Sequence, residues 1–238
     1  MFVSCVVPAR NEEGHLEHVI NEVLAVESIT DIIIIEGGSS DGTFVEAVKL
    51  AEQNPGRIRT IKQPGKGKFD AVQFGAKLAR EEFLLIWDAD GTVPLDCTRK
   101  VVNHALATAH ATMGNRLRGS REVGSMRYFN FLGNWFFALL WAPLLGSRPV
   151  DMLCGTKIVQ TKVFSNIPAR ILKTDPYGDF ALIATARAMG YTVQSIPVDY
   201  CARKYGETNI RRWSGGAKLF LSTILIYFWL ARKKFTHE

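Results

Sequence analysis

The 238-residue sequence has only four cysteines, Cys5, Cys97, Cys154 and Cys201, and no two of them form a Cys-x-x-Cys pair. Such spacing speaks against a zinc site and a disulfide scaffold, and fits reduced thiols in a cytosolic protein. The chain lacks the Gly-Lys-Ser/Thr ending of a P-loop. It also lacks a Gly-x-Gly turn after its first apolar run, which a nucleotide-sugar-making nucleotidyltransferase would want. Met1 to Pro8 carries no basic leader and no cleavage site, so no signal peptide is expected. Repeats and low-complexity linkers are missing too.

What is present is a globular composition. Hydrophobic residues make up 47% of the chain, which excludes disorder, and the length suits one α/β domain with a short appendage. The net charge is +6. Basic residues gather late: Arg203, Lys204, Arg211, Arg212, Arg232, Lys233 and Lys234 flank an apolar stretch. That placement suggests attraction to anionic lipid or phosphate; plain solubility is the blander reading.

Apolar, β-branched runs alternate with helical patterns. Phe2–Val7, Ile32–Ile35, Arg57–Gln63 and Phe83–Trp87 read as strands; Glu12–Val26, Asp41 to about Glu52, and Gly67–Arg80 read as helices. This order predicts right-handed βαβ units and a mainly parallel sheet covered on both faces. Ligands then bind beyond the carboxyl ends of the strands. Three polar clusters fall there, at Ala9–Glu13, Glu36–Thr43 and Asp88–Thr92. Later, Val150–Val159 and Tyr191–Val198 read as strands around a helix near Phe180–Met189.

Asp88 and Asp90 lie two apart at a strand end, so both carboxylates face one way and can hold a hard divalent cation, Mg2+ or Mn2+, with a diphosphate. An ordinary turn is the plainer reading of that tripeptide. Glu36 ends a four-isoleucine strand, where an acid can accept bonds from a base or ribose. Asp41 reads equally as a helix N-cap or a donor contact. Lys66, between Gly65 and Gly67, can deliver an ammonium to phosphate, or can be a solvated loop lysine.

The order Pro8-Ala-Arg-Asn-Glu12, Glu36-Gly-Gly-Ser-Ser-Asp-Gly-Thr43, Gly65-Lys-Gly67 and Asp88-Ala-Asp90 resembles the family 2 inverting glycosyltransferases. Gly114-Asn-Arg-Leu117, Asp151-Met-Leu-Cys-Gly-Thr-Lys157 and Arg203-Lys-Tyr-Gly-Glu-Thr-Asn209 narrow the likeness to dolichyl- and polyprenyl-phosphate mannosyl- or glucosyltransferases. The resemblance implies an α/β fold with a Rossmann-like, nucleotide-sugar-binding (GT-A type) sheet, mixed but mainly parallel, followed by amphipathic, interfacial helices. It implies a hexose moved from a nucleotide sugar, of GDP-mannose or UDP-glucose type, to a polyprenyl phosphate. Pro8, Arg10, Glu12, Glu36, Asp41, Lys66 and Asp88 would meet the donor, and Asp88 and Asp90 the metal. Arg116, Arg203 and Asn209 would meet the acceptor phosphate, and Asp179 would lie near it. Arg116 and Arg203 could equally form surface salt bridges, and Asp179 could be an N-cap. Three departures stand out: Glu36-Gly37 where the family often has Asp-Asp, Thr92 where some members have a metal-binding glutamine, and Asn209 at the family's lysine.

A lipid phosphate is already an anion, so its attack needs no base. Two other readings stay open: transfer to a polysaccharide or small hydroxyl, and a non-catalytic nucleotide-sugar-binding subunit. Residues 1–210 are expected to form the catalytic domain and 211–238 a hydrophobic, basic C-terminal helix. Its apolar run, Leu219–Leu230, would be about 18 Å long as a helix against a hydrocarbon core of about 30 Å. It is therefore expected to lie in a membrane interface, or on a partner, rather than to span. Tyr128–Leu145, with Trp135, Phe136, Phe137 and Trp141, is a second such segment; core or dimer packing is the alternative for both. The expected location is cytoplasmic and peripheral, on the inner face of a membrane. No nucleic-acid partner is expected; a homo-oligomer or a membrane subunit is left open.

Overall fold

The computed structural model describes residues 1–146, 150–175, 177–202 and 212–235. Seven strands form one sheet: β1 (Val3–Ala9), β2 (Ile29–Glu36), β3 (Ile58–Lys62), β4 (Phe83–Ile86), β5 (Ala111–Asn115), β6 (Lys157–Gln160) and β7 (Val193–Pro197). Their spatial order is β3-β2-β1-β4-β6-β5-β7. β1 to β4 are parallel, β6 runs antiparallel between β4 and β5, and β7 returns parallel to β5. The sheet is thus mixed and mainly parallel.

The four isoleucines of β2 show why both faces must be covered. Ile32 and Ile34 join one core; Ile33 and Ile35 join the other. The first core is roofed by α1 (Leu16–Leu24), α2 (Thr43–Gln53) and α4 (Leu95–Thr108). The second is roofed by α3 (Lys68–Leu78), α5 (Tyr128–Leu145), the short α6 (Lys162–Ser165) and α7 (Ala169–Leu172), α8 (Asp179–Ala188) and α9 (Arg212–Phe235). Gly75 of α3 lets that helix press on β1, since a Cβ there would come within 2.6 Å of Val6.

Some expectations change. Residues 150–156 are not strand: only Lys157–Gln160 joins the sheet, and the preceding stretch is a loop that closes on the site. The first helix starts at Leu16 rather than Glu12, because Glu12 to Gly14 is used to bind the neighbouring loop. α4 and β5 were not foreseen as elements.

The last helix does not stand apart. Leu219, Ile226, Trp229 and Leu230 enter the second core, beside α7 and α8. α5 is its neighbour: the Trp141 indole donates to Thr223 Oγ1 (3.2 Å), Tyr227 OH donates to the Leu140 carbonyl, and the Phe136 and Phe220 rings lie 6.2 Å apart.

Candidate functional site

The polar clusters do meet on one rim, and backbone groups fasten them. Beyond β1 and β2 the two loops are laced together: Asn11 N–H donates to Ser39 Oγ, Ser40 N–H to Asn11 Oδ1, and Glu12 N–H to Thr43 Oγ1. Glu13 Oε2 accepts from Gly42 N–H, and Glu46 accepts from the N–H groups of Gly14 and Glu17. Glu36, only 3% exposed, accepts from Ser39 N–H and closes its own turn. Asp41 accepts from Thr43 N–H (3.1 Å) and from the Thr43 hydroxyl, although Gly42 occupies the helix N-cap position. Desolvation alone would raise the Asp41 carboxyl, but these bonds with Thr43 hold it below the usual range. Arg10 and Lys66 are exposed on the same rim.

Between the β1 and β4 ends lies a cavity of about 120 Å³, lined by Pro8, Glu12, Lys68, Asp88, Ala89 and Asp90. Asp90 accepts from Thr92 N–H (3.2 Å) and Thr92 Oγ1 (2.9 Å), which fixes its carboxylate. Thr92 therefore orients this acid. Asp88 meets the ammonium of Lys68 at 2.5 Å. Burial alone would raise the Asp88 carboxyl, but Lys68, then Lys157 and Arg116, hold it below the usual range. For Lys68, desolvation would lower the ammonium; the charges of Asp88, Asp179 and Asp90 outweigh it and raise it. The lysine that contacts Asp88 is Lys68, at the first turn of α3.

The far wall comes from the second half. The loop before β6 passes so close to Asp88 that a Cβ on Gly155 would fall 1.8 Å from Asp88 Oδ2. Lys157, fully buried, donates to Asp179 Oδ1 at 2.7 Å and to the Cys154 carbonyl. Asp179 is the first residue of α8. Gly178 before it has φ +74°, and a Cβ there would strike the Phe69 ring, so glycine is required on both counts. Arg116 holds Asp151 with two bonds, Nε to Oδ2 (2.7 Å) and Nη2 to Oδ1 (3.0 Å), and lies over the Tyr200 ring. Burial would lower the guanidinium, but the Asp151 carboxylate holds it well above its ordinary value. Burial likewise pushes the nearby Cys154 thiol up to about 11.

Lys68, Asp151, Gly155 and Lys157 were missed as site residues. A lysine opening the apolar strand Lys157-Ile-Val was the available signal, because a charge there must find a buried partner. Arg203 and Asn209 lie outside the described residues. A divalent cation fits the Asp88–Asp90 pair: both donors are hard oxygens on one cavity, and a cationic ammonium already rests against one of them. Among the described residues no group of three or more His, Cys, Asp or Glu side chains converges, so the remaining ligands would come from diphosphate or water.

Comparison with known proteins gives the same frame. The model of glycosyl transferase family 2 matches residues 4–165. A dolichyl-phosphate beta-glucosyltransferase of Trichomonas vaginalis is 28% identical across 96% of this chain and 72% of its own length. The polyprenol monophosphomannose synthase of Mycolicibacterium smegmatis is 23% identical across 86% of this chain and 79% of its own. The crystal structure of glucosyl-3-phosphoglycerate synthase from Mycobacterium tuberculosis, in complex with Mn2+, UDP-glucose and phosphoglyceric acid, superimposes with a TM-score of 0.69. It covers 94% of this chain and 78% of that one at 16% identity, a likeness of fold.

Proposed function

Because the chain belongs to glycosyl transferase family 2, we propose that it moves a hexose from a nucleotide sugar of GDP-mannose or UDP-glucose type to a polyprenyl-phosphate lipid, with a divalent cation bound at Asp88 and Asp90. The observation that carries this reading is the sharing of one rim cavity by Asp88, Asp90, Glu12 and Pro8. The names of the two relatives support the lipid acceptor.

Each residue then has a task. Glu36, Glu12 and Pro8 border the nucleoside, with Arg10, Asp41 and Lys66 on the same rim. Glu36 retains its outer carboxylate oxygen for a base or ribose while its other oxygen holds Ser39. Asp88 and Asp90 hold the cation, which would supply charge neutralisation at the departing nucleoside diphosphate. Asp90 needs no rotamer search on binding, because Thr92 already fixes it. On the acceptor side, Asp151 uses two of the five guanidinium N–H groups of Arg116 and leaves the others to a phosphate oxygen. Arg203 and Asn209, from the segment outside the described residues, would complete that clamp. An acceptor phosphate brings its own negative charge. Asp179, held by Lys157, therefore shapes the acceptor side electrostatically and is not asked to remove a proton.

The same reading puts the protein on the cytoplasmic surface of a membrane. α5 exposes Tyr128, Phe129, Leu132, Phe136 and Leu139; α9 exposes Phe220, Leu221, Ile224, Leu225 and Phe228. Through the Phe136–Phe220 contact these two rows form one apolar face. α5 is by length and composition the one described helix able to cross a membrane. Its opposite side, Phe137, Ala138, Trp141 and Leu145, packs on the core, which supports a helix lying on a bilayer with its other side to the lipid.

The test is transfer from radioactive nucleotide sugars in the presence of a polyprenyl phosphate. Label should move into the organic phase, and Asp90→Ala should abolish the transfer while the fold survives. Label confined to the aqueous or polymer fraction overturns the lipid acceptor. Unchanged turnover of Asp90→Ala at saturating donor and metal overturns the site.

A further inference from the structure

The two lysines near Asp88 differ in freedom. Lys157 is fully buried and tied to Asp179 and the Cys154 carbonyl. Lys68 is 54% exposed, on a four-carbon stem at the first turn of α3, and its ammonium reaches back to Asp88 Oδ1 at 2.5 Å. Asp88 itself has little room to follow, because the Gly155 backbone closes on its other oxygen. The mobile partner of the pair is the lysine.

A divalent cation taken up by Asp88 must compete with that ammonium for the carboxylate charge. A nucleoside diphosphate changes the contest, since it offers the ammonium an anion of its own at the same cavity. We propose that Lys68 is an internal counter-ion which holds the Asp88–Asp90 pair closed to divalent cations until a nucleoside diphosphate arrives, and then passes to the diphosphate. The proposal rests on the cation reading given above. Its consequence is that cation and nucleotide bind as mutual partners, each strengthening the other by the same factor, as linkage requires.

Mn2+ binding to the nucleotide-free protein, followed by the paramagnetic resonance of free Mn2+, tests this without any turnover. Lys68→Gln should bind Mn2+ about tenfold tighter than the unaltered protein, within the usual range of coupling. Lys68→Arg, which keeps the charge, should stay close to the unaltered protein. Lys77→Gln, an exposed lysine on the same helix, should also change nothing, which separates pairing from general repulsion. Adding Asp90→Asn to Lys68→Gln should remove the gain. Nucleotide-free affinity of Lys68→Gln within twofold of the unaltered protein, when UDP or GDP still promotes Mn2+ binding, overturns the counter-ion role. Failure of every variant to bind Mn2+, with or without UDP or GDP, overturns the cation reading and this proposal with it.

Discussion

The two sides of the rim are held by different forces. Beyond β1 and β2, loops are stitched by many bonds between backbone N–H groups and small or acidic side chains, mostly at exposed positions. Beyond β5 and β6, the wall is closed by two ion pairs, each with one fully buried member: Asp151 in Arg116–Asp151 and Lys157 in Lys157–Asp179. Distributed bonds tolerate the loss of one member. A buried charge deprived of its partner does not, because no water replaces it. The β1–β2 side is therefore adaptable and the β5–β6 side brittle.

The sharpest way to break that contrast is to cut one bond set on each side. Asp151→Ala leaves the Arg116 guanidinium, whose side chain is 11% exposed, without its carboxylate. Breaking such a pair costs about 3–5 kcal/mol, and for a chain of this size each kcal/mol moves the melting point by about 2–4 °C. A fall of about 10 °C is expected. Glu46→Ala loses two exposed bonds worth about 0.5 kcal/mol each, so a fall of about 2–4 °C is expected. Thermal unfolding followed by circular dichroism reads both. Equal shifts would erase the distinction.

A smaller effect separates the outer surfaces. Phe129→Ser with Phe228→Ser removes two exposed rings from the α5–α9 face. Partition onto vesicles with anionic lipid should weaken about tenfold, equivalent to about 1.4 kcal/mol, with melting unchanged. Val45→Ser, which alters an equally exposed apolar residue on α2, should leave partition alone. If Val45→Ser weakens partition as much, or the double variant not at all, the membrane face has been misplaced.

The contrast also marks what could be read from sequence. The placing of polar residues beyond β1, β2 and β4 was legible because its signals are local. Ile32–Ile35 ends in Glu36, Asp88-Ala-Asp90 follows an apolar strand, and each acid sits where a parallel sheet puts its ligands. Glycine spacing points to Lys66 for a phosphate but says nothing about which lysine meets Asp88. Lys68 opens α3, and its ammonium meets Asp88 just past the end of β4. The β5–β6 side depends on pairs far apart in the chain, Arg116 with Asp151 and Lys157 with Asp179, which no spacing rule connects. Val150–Val159 looked like strand for the same reason. Val150, Met152 and Cys154 are buried in a loop folded over the site, and only the end of the run, from Lys157, joins the sheet.

The smallest predicted effect lies in how acids of the two halves respond to pH. Asp88, on the rim, is held below its usual range by Lys68 once burial is overcome, and Asp175, beside the start of α8, is raised by burial. An acid whose folded value is lowered contributes stability above about 3.8 that disappears as pH falls through the folded value. An acid whose folded value is raised does the opposite. Asp175 favours the folded state while protonated, and stability declines as pH rises from 3.8 through the raised value. Asp175→Asn keeps one of the two acceptor roles toward Tyr177 N–H and Ala181 N–H, so a constant offset of about 1 kcal/mol is expected. The informative quantity is the slope. Melting temperatures of the variant should lose the decline above pH 3.8 that Asp175 imposes, whereas Asp88→Asn should lose the rise that Asp88 imposes as pH climbs toward 3.8. Parallel melting curves for Asp175→Asn and the unaltered protein would show that burial beside α8 leaves that acid unstrained. The two halves would then differ in geometry but not in charge.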